Sequence, residues 1–238
     1  MNLAKKPQRW RWSLGRKIGK ILITPFARLK VIGKENLALN SGKLIAANHT
    51  SNLDPFFLGL AVEEELYFLA KEELFRHSKF FSWLISCFNA VPITRNLFLA
   101  NKITSSSGQF FTSIRKAISL LKARKTLVVF PEGTRNYQSA LLDFNKGGAF
   151  LAMIANVPII PTAILGIKDI WCGRLYKLID NLPIATTSRK SLISEVIIKF
   201  GKPIYPTDQK TNHRQAITEL TLATKKAIEN LIYEHAKS

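Results

Sequence analysis

Six short apolar runs recur along the chain, at Lys43–Asn48, Leu66–Ala70, Val91–Ile93, Leu127–Phe130, Ile159–Leu165 and Glu195–Phe200, with segments of helical period between most of them. Runs this short and this apolar suit buried strands better than helices. Strands separated by helices cannot join as tight hairpins, so successive strands must cross over and lie parallel. The expected architecture is therefore α/β: a largely parallel or mixed central sheet flanked by helices. In such sheets ligands bind outside the carboxyl ends of the strands.

The segments between the strands read as follows. The run after Asp54 (PFFLGLAV) is a helix with Pro55 in its first turn, where a missing N–H costs nothing. Lys71 to Phe88 is helical and aromatic, with Phe75, Phe80, Phe81, Trp83 and Phe88, and Asn101–Gly108 is a loop containing three consecutive serines. Phe110, Ile114, Ala117, Ile118 and Leu121 recur at helical spacing, with Arg115, Lys116, Lys122 and Arg124 outward. Gly147–Ala155 is a helix, and Ala216, Leu220, Ala223, Ala227 and Leu231 give a C-terminal amphipathic helix. No internal repeat or long linker is visible.

Charge separates the N-terminus from the rest. The 238 residues include 35 Lys or Arg against 16 Asp or Glu, a formal charge of +19, which predicts an anionic partner. Residues 1–34 hold ten of the cations and no acid. There Trp10, Trp12, Leu14, Ile18, Ile21, Leu22, Phe26 and Leu29 interleave with Arg9, Arg11, Arg16, Lys17, Lys20 and Arg28. A basic amphipathic helical segment with tryptophans is the pattern of a helix lying in a membrane interface. The alternative is a basic arm followed by an ordinary packed helix, and Pro25 and two glycines argue against one continuous helix. The expected division is a membrane-associating segment over 1–29 and one further domain over 30–238.

No stretch reaches the ~18–20 apolar residues of a transmembrane helix, and the charged N-terminus makes a poor signal peptide. The expectation is a peripheral or monotopic protein on the cytoplasmic face of an anionic membrane. A nucleic-acid binder is the other reading of the charge, but no recognisable module for that role is present. Cys87 and Cys172 lack metal-ligand spacing and read as buried thiols in a reducing compartment, with no zinc site.

Two motifs follow strands directly. Asn48-His49-Thr50-Ser51-Asn52-Leu53-Asp54 places a histidine at a strand exit and a carboxylate in the first turn of the next helix. Imidazole can take a proton from an attacking hydroxyl, and a carboxylate on its other nitrogen fixes the tautomer and stabilises the imidazolium. The competing reading makes Asp54 a helix cap and His49 a loop residue. Ser51 lacks the glycine-flanked elbow of a nucleophile and suits a capping role. In Phe130-Pro131-Glu132-Gly133-Thr134-Arg135, Arg135 can hold a phosphate through paired hydrogen bonds and Gly133 permits close backbone approach. Glu132 can bind a substrate hydroxyl or orient Arg135, and the whole segment can also be a structural turn.

With these residues in hand, the chain resembles the glycerolipid acyltransferases, the lysophosphatidate acyltransferase family. NHTSNLD and FPEGTR are similar to its first and third signature blocks, Val91-Pro92-Ile93-Thr94-Arg95 to the second, and Val157-Pro158-Ile159-Ile160-Pro161 to the fourth. Phe144-Asn145-Lys146-Gly147-Gly148-Ala149 resembles a further family segment, and the likeness runs over roughly residues 30–203. The resemblance implies that His49 is the general base and Asp54 its orienting partner. It also implies that Arg95, Glu132, Gly133, Thr134 and Arg135 bind the acceptor, and that Pro161 shapes a wall of the site.

The implied reaction moves a fatty acyl group from acyl-CoA or acyl-carrier protein to the free hydroxyl of 1-acyl-sn-glycerol 3-phosphate. The product is phosphatidic acid, and no metal, bound cofactor or acyl-enzyme is required. Another lysophospholipid or a glycerol-phosphate acceptor is the alternative. The second block departs from the family pattern: Asn89 stands where glycine is common and Thr94 where an acid is common. Asparagine tolerates left-handed backbone angles, so the turn at Asn89 is expected to survive.

Overall fold

Among the described residues the six apolar runs and the stretch Ala27–Ile32 pair into one sheet of seven strands. The structure, a computed structural model, describes residues 9–23, 27–71, 89–93, 107–138, 140–167, 194–207 and 212–236. Its strands are β1 (Ala27–Ile32), β2 (Lys43–Ala47), β3 (Leu66–Lys71), β4 (Ala90–Ile93), β5 (Thr126–Val129), β6 (Ile159–Leu165) and β7 (Ser194–Phe200). They lie in the order β1-β7-β6-β2-β5-β3-β4. Strands β6, β2, β5, β3 and β4 run parallel, while β7 is antiparallel to β6 and carries β1 parallel to itself. The sheet is mixed, with a parallel block that aligns the carboxyl ends of β2, β5 and β4 on one edge.

Helices α1 (Arg9–Ile23), α2 (Asp54–Ala61), α3 (Ser107–Lys122), α4 (Gly147–Ala155) and α5 (His213–Ala236) cover the sheet. Central β2 is buried along its whole length, as a parallel strand covered on both faces must be. Its side chains alternate: Ile45 and Ala47 join Phe57, Leu58 and Ala61 of α2. Leu44 and Ala46 join Ala117 and Leu121 of α3, Leu151 and Ala152 of α4, and Leu220 and Ile228 of α5. Buried Lys43 is paired with Glu64 at 2.8 Å.

Three local expectations change. The basic stretch is helical only over α1, which ends at Ile23, and the segment expected to run to residue 29 enters the sheet, where β1 begins at Ala27. Arg28 and Lys30 point outward while Leu29 and Val31 are half-buried, a period of two on an edge strand whose charges discourage further pairing. The expected division at residue 29 thus falls inside a strand of the sheet. Helix α3 begins at Ser107, two residues inside the expected loop. On α5, Ala223 is exposed, and the buried stripe is Ala216, Leu220, Thr221, Thr224 and Ile228. Both threonine hydroxyls donate to the carbonyl one turn back, at 2.7 Å each, which lets a polar residue sit on the core face.

The aromatic segment over 72–88, the serine-rich stretch over 101–106, and Thr94, Arg95 and Cys172 lie outside the described residues, Cys87 falling within the first of these. Asn89 is left-handed (φ 49°), as expected of asparagine in a glycine's place. Its amide donates to Glu65 and to the Leu66 carbonyl.

Candidate active site

The chain leaves β2 at Asn48, whose buried amide ties that exit to β6. Its Nδ2 donates to the Ile164 carbonyl at 3.0 Å, and its Oδ1 accepts from the Ile164 N–H at 2.7 Å. The next residue is His49. Its Nδ1 lies 2.8 Å from Oδ2 of Asp54, which is fully buried in the first turn of α2. The same Oδ2 accepts from the main-chain N–H of Thr50 at 2.6 Å and of Ser51 at 2.9 Å. An oxygen already receiving two N–H groups is an acceptor, so Nδ1 of His49 is the donor and the Nε2 lone pair is left for chemistry. Ser51 is buried, and its Oγ accepts from the Leu53 N–H at 3.1 Å, a turn-forming role.

The imidazole stacks on Phe130, the first residue after β5, with centroids 4.2 Å apart and planes 22° from parallel. Asp54 at its edge and Phe130 on its face fix the ring's orientation. The side chain keeps 18% exposure, enough for a hydroxyl to reach it.

Glu132 turns inward. It is 6% exposed, and its Oε1 accepts from the His49 N–H at 2.9 Å. Its Oε2 accepts from Asn136 Nδ2 at 2.7 Å and from the Leu142 N–H at 3.0 Å. A buried carboxylate needs such partners, and Glu132 bonds two main-chain N–H groups and the Asn136 amide.

Gly133 is left-handed (φ 68°), and a Cβ there would stand 2.6 Å from Asn145 Nδ2. That amide is held by the Pro131 carbonyl at 3.0 Å, so it has little freedom to yield. Thr134 is exposed, and Arg135 carries its guanidinium 5.9 Å above the ring of half-exposed Tyr137. The Arg135 charge therefore stands on the same loop that holds His49.

Pro161 lies in the interior of the sheet. It is buried within β6, opposite Ala46, and its carbonyl accepts from the Gly201 N–H at 2.8 Å. A Cβ on Gly201 would meet its ring at 3.0 Å, so Pro161 fills the sheet's interior where β6 meets the end of β7. Strand β4 ends at Ile93, at the same sheet edge as the exits of β2 and β5, and Arg95 lies outside the described residues. The structure thus joins His49, Asp54, Gly133, Thr134 and Arg135 at one edge.

Asn48, Phe130, Asn136 and Asn145 do supporting work that the motifs alone did not assign. Asn48 and Phe130 begin the two motifs, a signal available in the sequence. For Asn136 there is none: its side chain bonds only near neighbours, Glu132, Gln138 and Ala140, and what ties it to the site is its main-chain bond to His49, which closes only on folding.

The acyltransferase family profile matches residues 28–165, more than half of the chain. The 1-acyl-sn-glycerol-3-phosphate acyltransferase of Saccharomyces cerevisiae is 29% identical over 221 residues, covering 88% of this chain and 69% of the relative. That of Bacillus subtilis is 29% identical over 169 residues, covering 69% and 78%. The crystal structure of the 1-acyl-sn-glycerophosphate (LPA) acyltransferase PlsC from Thermotoga maritima superposes with a TM-score of 0.62 at 25% identity. It covers 96% of this chain and 84% of that one. With the profile spanning both the β2 and the β5 exits, the chain belongs to the acyltransferase family.

Proposed function

We propose that this acyltransferase moves a fatty acyl group from an acyl thioester, acyl-CoA or acyl-carrier protein, to the free hydroxyl of 1-acyl-sn-glycerol 3-phosphate, giving phosphatidic acid. The observation that carries the chemistry is the 2.8 Å His49–Asp54 contact with Asp54 fully buried. Nε2 of His49 takes the hydroxyl proton as the oxygen attacks the thioester carbonyl carbon. Asp54 stabilises the imidazolium so formed. The tetrahedral intermediate collapses, the C–S bond breaks, and the thiolate leaves as thiol with the proton from His49. Arg135 binds the acceptor phosphate, with Gly133 and Thr134 at its side and Arg95 as a second cation. The names of the relatives support lysophosphatidate as acceptor.

The test is thiol release from both donor types, crossed with a panel of lyso-lipids. Release should require an acceptor and should favour lysophosphatidate. Arg135→Ala should raise KM for lysophosphatidate roughly tenfold or more, the worth of a charge-assisted phosphate contact, and leave the donor KM near its original value. Equal turnover of an acceptor without phosphate would overturn the assignment and favour a different lyso-lipid.

The enzyme is proposed to meet this lipid from the cytoplasmic face of an anionic membrane through α1. Arg16 fastens α1 to α2 by donating to the Gly59 and Leu60 carbonyls at 3.0 and 3.2 Å, a cation at a helix C-terminus. Trp12 packs on the core. On another side Leu14, Ile18 and Ile21 are 48%, 48% and 73% exposed at helical spacing, beside exposed Lys17 and Lys20. Among the described residues no helix is long and apolar enough to cross a membrane.

An apolar stripe flanked by lysines suits the headgroup boundary. The double change Ile18→Asp/Ile21→Asp should weaken flotation with anionic vesicles on the order of a hundredfold, from about 1.5 kcal/mol for each isoleucine kept out of lipid. Unchanged flotation would assign the anchoring to another surface.

A further inference from the structure

We infer that Asn136 is a positioning residue of the acyl transfer, and that with Glu132 it forms a clamp on the main chain of His49. The clamp sets where the base stands without touching substrate. This inference rests on the assignment of His49 as the base.

The clamp grips His49 from both sides. The N–H of His49 donates to Glu132 Oε1 at 2.9 Å, and its C=O accepts from the N–H of Asn136 at 2.7 Å. The two gripping residues are joined to each other, Asn136 Nδ2 donating to Glu132 Oε2 at 2.7 Å. Fixing both main-chain groups fixes the direction in which the His49 side chain leaves the backbone. Phe130 and Asp54 then need only hold the ring's rotation.

Position 136 calls for an amide. Asn136 is 5% exposed, so each of its polar atoms must find a partner. Its two Nδ2 hydrogens go to Glu132 Oε2 and to the Ala140 carbonyl, both at 2.7 Å, and Oδ1 accepts from the Gln138 N–H at 2.9 Å. Two donors and one acceptor at one side-chain terminus describe asparagine and exclude aspartate, serine and threonine. Aspartate has the same shape with the donors removed. It would set a second carboxylate against buried Glu132, and like charges so close cannot both remain ionised.

The clamp also links the two halves of the site. Residue 136 directly follows Arg135, so the contact that holds the His49 carbonyl also registers the phosphate-side arginine against the base. Misregister between a base and a bound hydroxyl is a loss of orientation, which falls on kcat more than on substrate affinity.

The experiment compares wild type, Asn136→Asp and Asn136→Ala by steady-state acyl transfer, thermal denaturation and amide hydrogen exchange. Asn136→Asp should lower kcat by roughly tenfold to a hundredfold, the scale of a misplaced catalytic group, with both KM values within about threefold of wild type. Asn136→Ala keeps the main-chain donor and should fall between the two. Independently of activity, exchange at the His49 amide should quicken about tenfold in Asn136→Asp while that of α5 stays unchanged, as expected of a local opening.

A wild type inactive with every acceptor would refute the assigned reaction, and the exchange readout would still judge the clamp. Unchanged His49 exchange overturns it. So does a variant that loses melting temperature while keeping wild-type kcat below its transition, because Asn136 would then be merely structural. If Asn136→Asp does not fold, the same two readouts on Asn136→Ala decide.

Discussion

His49→Ala is expected to lose acyl transfer by at least ~10²–10⁴, the range that a general base contributes, while the protein stays folded. The fold survives because what binds this position into the structure is main chain. The bonds from the His49 N–H to Glu132 and from the Asn136 N–H to the His49 carbonyl do not involve the imidazole. What the substitution removes is the ring's stack on Phe130 and its contact with Asp54. The stack is worth about 0.5–1.5 kcal/mol, which for a chain of this length lowers Tm by only a few degrees. Asp54 keeps its two main-chain donors, so the buried carboxylate is not abandoned. Thiol release measured beside a melting curve separates the two effects. A well-folded His49→Ala protein with more than a tenth of wild-type turnover would sink the general-base mechanism.

How far the sequence discloses this site depends on the distance over which each contact closes. His49 and Asp54 are five residues apart, between a strand exit and a helix start, so their meeting follows from local geometry. Helix α4 is equally legible: Asn156 turns left-handed (φ 51°) and caps it, as asparagine does after a helix. Strand β6 is buried on both faces and apolar but for Thr162, as a strand covered on both sides must be.

Glu132 is different. Beside Gly133 and Arg135 it reads as part of an anion cradle, yet its partners include the His49 N–H, 83 residues away in sequence. No local pattern reveals whether a carboxylate turns inward or outward. Asn48 bonding Ile164 across 116 residues is hidden for the same reason. Strand β1 was obscured because its outward Arg28 and Lys30 continue the basic composition of α1, and composition spoke louder than the change of period.

The same logic places the acceptor-facing groups on a narrower set than the third motif suggests. Glu132 is bonded inward, so in the proposed reaction the charge of the third motif left for the acceptor phosphate is that of Arg135. A single arginine can bind a phosphate but does not by itself distinguish among lyso-lipids that carry one. Arg95 is therefore the residue at which acceptor selectivity is best sought.

Asp54→Asn should cost activity nearly as heavily as His49→Ala, and for a purely electrostatic reason. The amide oxygen can occupy the site of Oδ2 and still accept from the Thr50 and Ser51 N–H groups, and from Nδ1 of His49. The amide nitrogen then stands in place of Oδ1, where Thr50 Oγ1, now 3.4 Å away as a donor, can turn to accept. The turn and helix α2 should therefore form, and Tm should stay within a few degrees of wild type.

What disappears is the negative charge that stabilises the imidazolium as the hydroxyl proton arrives. In serine-protease triads the same exchange lowers kcat by about 10⁴ because the imidazole takes the wrong tautomer; here the amide oxygen keeps Nδ1 as the donor, and loss of the charge is expected to remove the ~10²–10⁴ that general-base help contributes. Asp54→Ala is the contrasting variant. It strips the acceptor from two main-chain donors and the ring, so roughly 3–5 kcal/mol of stability should go with the activity. Together the two variants divide what Asp54 does for the turn from what it does for the base. If Asp54→Asn turns over like wild type, the carboxylate is needed only to shape the turn and His49 must work unaided.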